Sequence, residues 1–337
     1  MSLTNTQLNV IGKDFSNDIY HKSYHHLISK ANKDSYYEDE EEQTYDEFVD
    51  MSKRNPNANG TGRWRLNNNR YKILLIYLYE NMTPNMNLIN DLRNFLKAYI
   101  QLDIDICILQ TELDINKKQI TIKQTNDNNI NMNIINEDIY GTYPLKFLPI
   151  TTKIKTKKSI RRAIEVFSLF DILTNFVKQP YITSVTLVEH SIAEQFDETV
   201  HEVLGRACGD RVCCVSVPNN ESRELLGTTV HELLHTLGFD HCNSFKCIMN
   251  AIAAETTLHL SPPNLRKLML FHDLSKSNTN RCRVTKAMSY AATEKTFVLT
   301  RYEELLKVLT SFSPELYEKD CLWLRQMISA LQAIYPL

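Results

Sequence analysis

The chain of 337 residues is 43% hydrophobic and 23% charged, which is enough apolar content to fill the core of one large domain or two modest ones. A formal net charge of −2 gives no reason to expect nucleic acid or an anionic membrane as partner, and no apolar run approaches the length of a membrane span. Eight irregularly spaced cysteines, behind a start that lacks the basic-then-apolar order of a secretory signal, suit free thiols or metal ligands in the cytoplasm or nucleus.

Residues 1–68 read as a weakly ordered tail. They hold an acidic run, YYEDEEEQTYDEF (36–48), and a linker-like stretch, PNANGTGRWRLNNN (56–69). A solvated tail is the plain reading of the acidic run, and a docking peptide or pro-segment is the other. Ordered sequence begins at Tyr71 with YKILLIYLY, an apolar run rich in β-formers, of which 73–78 reads as a buried strand. Leu88, Leu92, Phe95, Leu96 and Tyr99 then recur at helical spacing, and LDIDICIL (102–109) alternates as a strand does, so the opening is β-α-β.

Residues 115–158 are rich in Asn and Lys without a sustained period, and they read as an insertion looping from the surface. IRRAIEVFSLFDILTNFV (160–177) predicts an amphipathic helix; YITSVTLVE (181–189) and RVCCVSV (211–217) predict strands. NLRKLMLFHDL (264–274), entered through Pro262 and Pro263, predicts a helix, as do 293–312 and 313–335. His190, His201, His259 and His272 stand alone and read as ordinary surface or core residues, and Cys213 and Cys214 as strand packing.

Only eight glycines occur, and Gly205, Gly209, Gly227 and Gly238 fall within one stretch, which points there to unusual backbone angles or close approaches. That stretch ends in ELLGTTVHELLHTLGFDHCNSFKCIMN (224–250). Its H-E-x-x-H puts His231 and His235 four apart, on one helix face, where both imidazoles reach a common metal ion. Leu225, Leu226, Val230, Leu233, Leu234 and Leu237 supply the apolar surface that buries the helix, and Gly238 permits the left-handed turn that ends it. His241 then follows as a third ligand. Three imidazoles suit Zn²⁺ and leave a coordination place for water, as in a catalytic site. Glu232, next to His231, is placed to act as general base without ligating the metal.

H-E-x-x-H-x-x-G-x-x-H with Met249 downstream resembles the metzincin pattern of zinc metallopeptidases. More narrowly, His241-Cys242-NSFK-Cys247-Ile248-Met249 is similar to the archaemetzincins, and Leu204-Gly205-Arg206-Ala207 resembles their F-G-x-A segment with Leu for Phe. The resemblance covers residues 71–272, apart from the 115–158 insertion, and neither end. It implies a Met-turn at Met249, RVCCVSV as the edge strand above the metal, and a second zinc on Cys242, Cys247 and a later C-x-x-C. That later pair is missing: Ser261-Pro262-Pro263-Asn264 stands before Leu265-Arg266-Lys267-Leu268. Cys242 and Cys247 are then free thiols, a disulfide, or part of a rebuilt second zinc site drawing on His259, Cys282, Cys208, Cys213 or Cys214.

The expected architecture is α/β: a metzincin-like domain over 69–275 with a mixed twisted sheet and an active-site helix, and a helical C-terminal extension over 276–337. The expected function is hydrolysis of peptide or protein substrates by zinc-activated water, with Glu232 as base and one catalytic Zn²⁺. The alternative is a zinc-binding scaffold that does not turn over, since a fold alone does not guarantee activity.

Overall fold

The computed structural model describes residues 3–12, 31, 39–53, 71–80, 83–123, 139–154, 157–209, 211–218, 222–252, 257–272, 283–313 and 315–334. The linker-like stretch at 56–69 lies outside them, as do the middle of the Asn-rich insertion and Cys282. The fold is mixed α/β, and the chain forms two compact units, one of residues 68–93 and 102–237 and the other of residues 1–67, 94–101 and 238–337.

The first unit is built on two sheets. Its central strand β1 (Lys72–Tyr79) has six consecutive residues buried, as a continuous apolar run requires when both faces are covered. It lies parallel to β2 (Asp103–Asp114) on one side and to β7 (Tyr181–Val188) on the other. Helix α3 (Met86–Ile100) connects β1 to β2, so the β-α-β opening is present. The strand β11 (Val212–Ser216) continues the parallel set beyond β7, and β10 (Gly205–Cys208) closes that side as an antiparallel edge. At the other side β3 (Gln119–Lys123) and β4 (Gly141–Pro144) add on antiparallel, giving a seven-stranded mixed sheet. RVCCVSV is therefore an inner strand, paired on both sides, and the edge belongs to residues 205–208.

The second sheet has the order β5-β6-β8-β9, from β5 (Phe147–Ile154), β6 (Lys157–Glu165), β8 (Ile192–Phe196) and β9 (Thr199–Val203). Two expectations are corrected here. The stretch at 115–158 is not simply a surface loop, because its described parts pair into β3, β4, β5 and the start of β6. Residues 160–165 are strand rather than helix, because β6 finds partners in both β5 and β8. The predicted helix survives only as α4 (Val166–Leu173), followed by a short 3₁₀ turn. Glu165 caps α4 by accepting from the Ser168 amide at 2.7 Å. Leu169, Phe170 and Leu173 on α4 join Leu74, Ile76 and Leu78 of β1 in one core cluster. Helix α5 (Ser222–Thr236) lies against β10 and β11.

The second unit is helical. It contains α1 (Asn5–Ile11), α2 (Tyr45–Lys53), α6 (Pro262–Phe271), α7 (Arg283–Ser311) and α8 (Glu318–Ile334). The reading of residues 1–68 as a weakly ordered tail does not extend to 3–12 and 39–53. Thr4 and Gln7 form a capping box on α1, Thr44 and Glu47 exchange hydrogen bonds at the start of α2, and Val10, Ile11 and Phe48 are buried. The cause is α6, which is buried along its whole length. Its Arg266 and Lys267 cannot reach water, so they need partners. Arg266 donates to the Ile11 carbonyl and stacks 3.9 Å from the Tyr45 ring, and Lys267 Nζ donates to the Gln43 carbonyl at 3.0 Å. The α7 and α8 helices pack through Tyr302 on Trp323, with ring centroids 5.5 Å apart. No helix among the described residues is long and apolar enough to cross a membrane.

Candidate metal centre

On α5 the apolar residues Leu225, Leu226, Val230, Leu233 and Leu234 are buried, which leaves the 231/235 face half-buried. His231 and His235 meet edge to face, with ring centroids 4.7 Å apart and their Nε2 atoms separated by 3.0 Å. The helix ends at Thr236, and Gly238 takes φ +86°, the left-handed turn for which glycine is suited. The chain then brings His241 back, and one ligand atom from each of His231, His235 and His241 lies within 4.8 Å of the others. Three half-buried imidazoles this close fit a metal ion, and this is the only such His/Cys/Asp/Glu group among the described residues.

Glu232, the residue after His231 on the helix, is buried at 9% exposure and is outside the ligand group. It rests on the edge strand: a Cβ placed on Gly205 would come within 2.7 Å of Glu232 Cγ and of Thr228 Cγ2. Burial pushes the Glu232 carboxyl up to about 8, opposed by Arg206 and assisted by Glu194, which Arg206 itself engages at 3.1 Å. A nearby cation acts in the direction of Arg206. Cys213 and Cys214 are fully buried, and their thiols are raised by burial first and then by the Glu232 charge, so they are packing residues.

Past His241 the chain closes a tight loop. The Cys242 amide donates to the Met249 carbonyl at 2.8 Å, and Met249 is fully buried. Asn250 holds the loop from inside: its amide donates to the Cys242 and Phe245 carbonyls, and its Oδ1 accepts from the Cys247 amide at 2.9 Å. Asn250 went unnoticed in the sequence, where a lone Asn after a Met carries no signal.

A rebuilt second zinc site, one of the readings left open for Cys242 and Cys247, gains no further ligand among the described residues. Both cysteines are free and buried, and the residues facing them are those that stand where the later C-x-x-C is missing. Cys242 Sγ donates to Ser261 Oγ at 3.4 Å, while Cys247 Sγ accepts from the Ser261 amide at 3.2 Å and Asn264 Nδ2 at 3.4 Å. Burial alone raises a thiol, but these bonds and one from Cys242 outweigh it and bring Cys247 down to about 6. His259 stacks on Trp323 at 4.7 Å instead of joining them, and Cys208 is exposed. Of the remaining lone histidines, His190 lies 3.3 Å from Glu80, His201 bonds Thr199, and His272 donates to the Ile100 carbonyl.

No protein-family model matches the chain, and no curated protein matches its sequence. The residues of the centre therefore carry the functional reading themselves.

Proposed function

We propose that the protein is a zinc-dependent metallopeptidase of metzincin type, with His231, His235 and His241 as metal ligands and Glu232 as general base. The observation that carries this reading is the convergence of three imidazoles, with Glu232 next to His231 in sequence, buried and outside the ligand group. A structural zinc site has four closed protein ligands, whereas three nitrogens leave a place for solvent. Zinc, when bound, supplies an acidified water and a positive charge that polarises the scissile carbonyl. Glu232 takes the proton of the attacking water and returns it to the leaving amine, a task that needs its carboxylate beside the water and not on the ion. Gly205 lets Glu232 lie flat against β10. An extended peptide adds to the outer strand of the sheet, residues 205–208, through main-chain hydrogen bonds.

The deciding experiment compares parent and Glu232→Ala on a peptide library, with and without a zinc chelator, alongside metal analysis. We expect one zinc per chain in both proteins. Cleavage should occur only in the metal-loaded parent, with turnover in the variant down by at least about 10²-fold. Cleavage that survives the substitution removes Glu232 from its role. A parent that holds zinc yet cleaves nothing is instead a zinc-binding scaffold.

A further inference from the structure

His241 lies beyond the end of α5, so helix geometry does not hold its ring as it holds those of His231 and His235. A ligating imidazole off a helix needs a partner on its second nitrogen, which sets both the tautomer and the ring orientation. In this chain that partner is 201 residues away in sequence: Glu40 Oε1 lies 2.7 Å from His241 Nδ1. The contact is one of several that fasten the acidic segment on both sides of His241. Before it, Gln43 Nε2 donates to the Gly238 carbonyl at 3.2 Å, and Phe48 packs on Phe239 with ring centroids 5.2 Å apart. After it, Asn243 Nδ2 donates to the Glu40 carbonyl at 2.8 Å, and the Ser244 amide donates to Glu42 at 2.8 Å. Lys267 holds the segment from below through the Gln43 carbonyl. The Glu40 carboxylate itself is outside the group of mutually close ligand atoms, so it stands behind the ring and not on the ion.

We propose that Glu40 is a positioning residue of the metal centre. Its carboxylate accepts the Nδ1–H of His241 and so leaves Nε2 turned to the ion, which makes the acidic segment 39–48 a built-in part of the site. The inference rests on the metal-binding reading above, and its test separates the two.

Full-length parent, Glu40→Ala and Glu40→Gln are compared by competition with a chelator for Zn²⁺ and, metal-free, by ring ¹⁵N spectra of histidine-labelled protein. Glu40→Ala weakens zinc binding about 10–100-fold without changing the saturating stoichiometry, and Glu40→Gln, which keeps an acceptor oxygen, recovers part of the loss. In the metal-free parent the His241 proton sits on Nδ1, and in Glu40→Ala it moves to Nε2. Unchanged zinc affinity in Glu40→Ala, while His231→Ala still loses zinc, overturns the role of Glu40 and leaves the metal centre standing. If the parent takes up no zinc, the metal reading fails by itself and the metal-free spectrum decides: an Nδ1 proton lost in Glu40→Ala retains the positioning contact, and an Nε2 proton in the parent ends it.

Discussion

At position 205 the limiting quantity is space. No turn requires glycine there, yet any side chain meets Glu232 and Thr228 at 2.7 Å, closer than a Cβ tolerates, and the Cys214 carbonyl at 3.3 Å prevents retreat. Gly205→Ala therefore moves the Glu232 carboxylate, and with Glu232 as the proposed base a displacement near 1 Å costs on the order of 10²-fold in rate. The expected outcome is a fall in kcat of that size with zinc content unchanged, and a stability loss of about 1–3 kcal/mol from overpacking. Steady-state kinetics beside metal analysis checks it; an alanine variant with parental kcat shows that Glu232 has room to spare. The sequence marked this glycine only as one of a cluster and through Leu204-Gly205-Arg206-Ala207. The neighbour that makes it necessary became visible when β10 was laid against α5.

At the scale of elements, α6 ties the helical unit together through buried charge. Lys267 is 1% exposed, and burial brings its ammonium down to about 8 from the ordinary 10.5, against the pull of Cys242, Glu42, Asp240 and Cys247. Below about 8 the lysine is charged in both folded and unfolded chains, so the cost of burying charge is present in full. Between 8 and 10.5 the unfolded chain still holds a proton that the folded one has released, and stability gains with rising pH. The stability of Lys267→Met relative to the parent should therefore fall by up to about 1.4 kcal/mol per pH unit across that window. Urea denaturation of both proteins at pH 7.5 and pH 10 measures the change, and parallel behaviour at both values contradicts the buried ammonium. The same helix shows what stands at the motif departure: Ser261 and Asn264 at its start hydrogen-bond the two thiols of the 242–250 loop.

For the whole molecule, the zinc binding proposed for the three imidazoles would also be a source of stability. An ion that binds the native chain and not the unfolded one adds RT ln(1 + [L]/Kd), about 2.7 kcal/mol at one hundred times Kd. The melting temperature of the metal-free protein should rise with added Zn²⁺ and continue to rise with its concentration. His241→Ala should abolish the shift, because two imidazoles on one helix leave the ion without its third nitrogen. A shift of parental size in that variant assigns the stabilising ion to another place. Calorimetry over a zinc series decides between them.

What the sequence determined by itself is what short-range geometry controls. The apolar runs at 73–78, 181–189 and 211–217 are strands because each is buried on both faces, and a continuous run carries that information locally. The triad was legible because its ligands share one stretch of eleven positions, 231–241, in which helical period and a single left-handed glycine suffice to bring three rings together. The tertiary structure decided what depends on distant partners. Residues 160–165 fit a helix until β5 pairs along them and β8 joins at Ile164 and Glu165, and residues 119–123 read as loop because a strand with alternating burial carries no long apolar run. The acidic segment read as tail because its carboxylates look solvated in sequence; Glu40, Glu42 and Gln43 acquire their roles from Asn243, Ser244, Gly238 and Lys267, about two hundred residues on. Hydrogen bonds across such separations leave no periodic trace in a single chain, so no spacing rule could have found them.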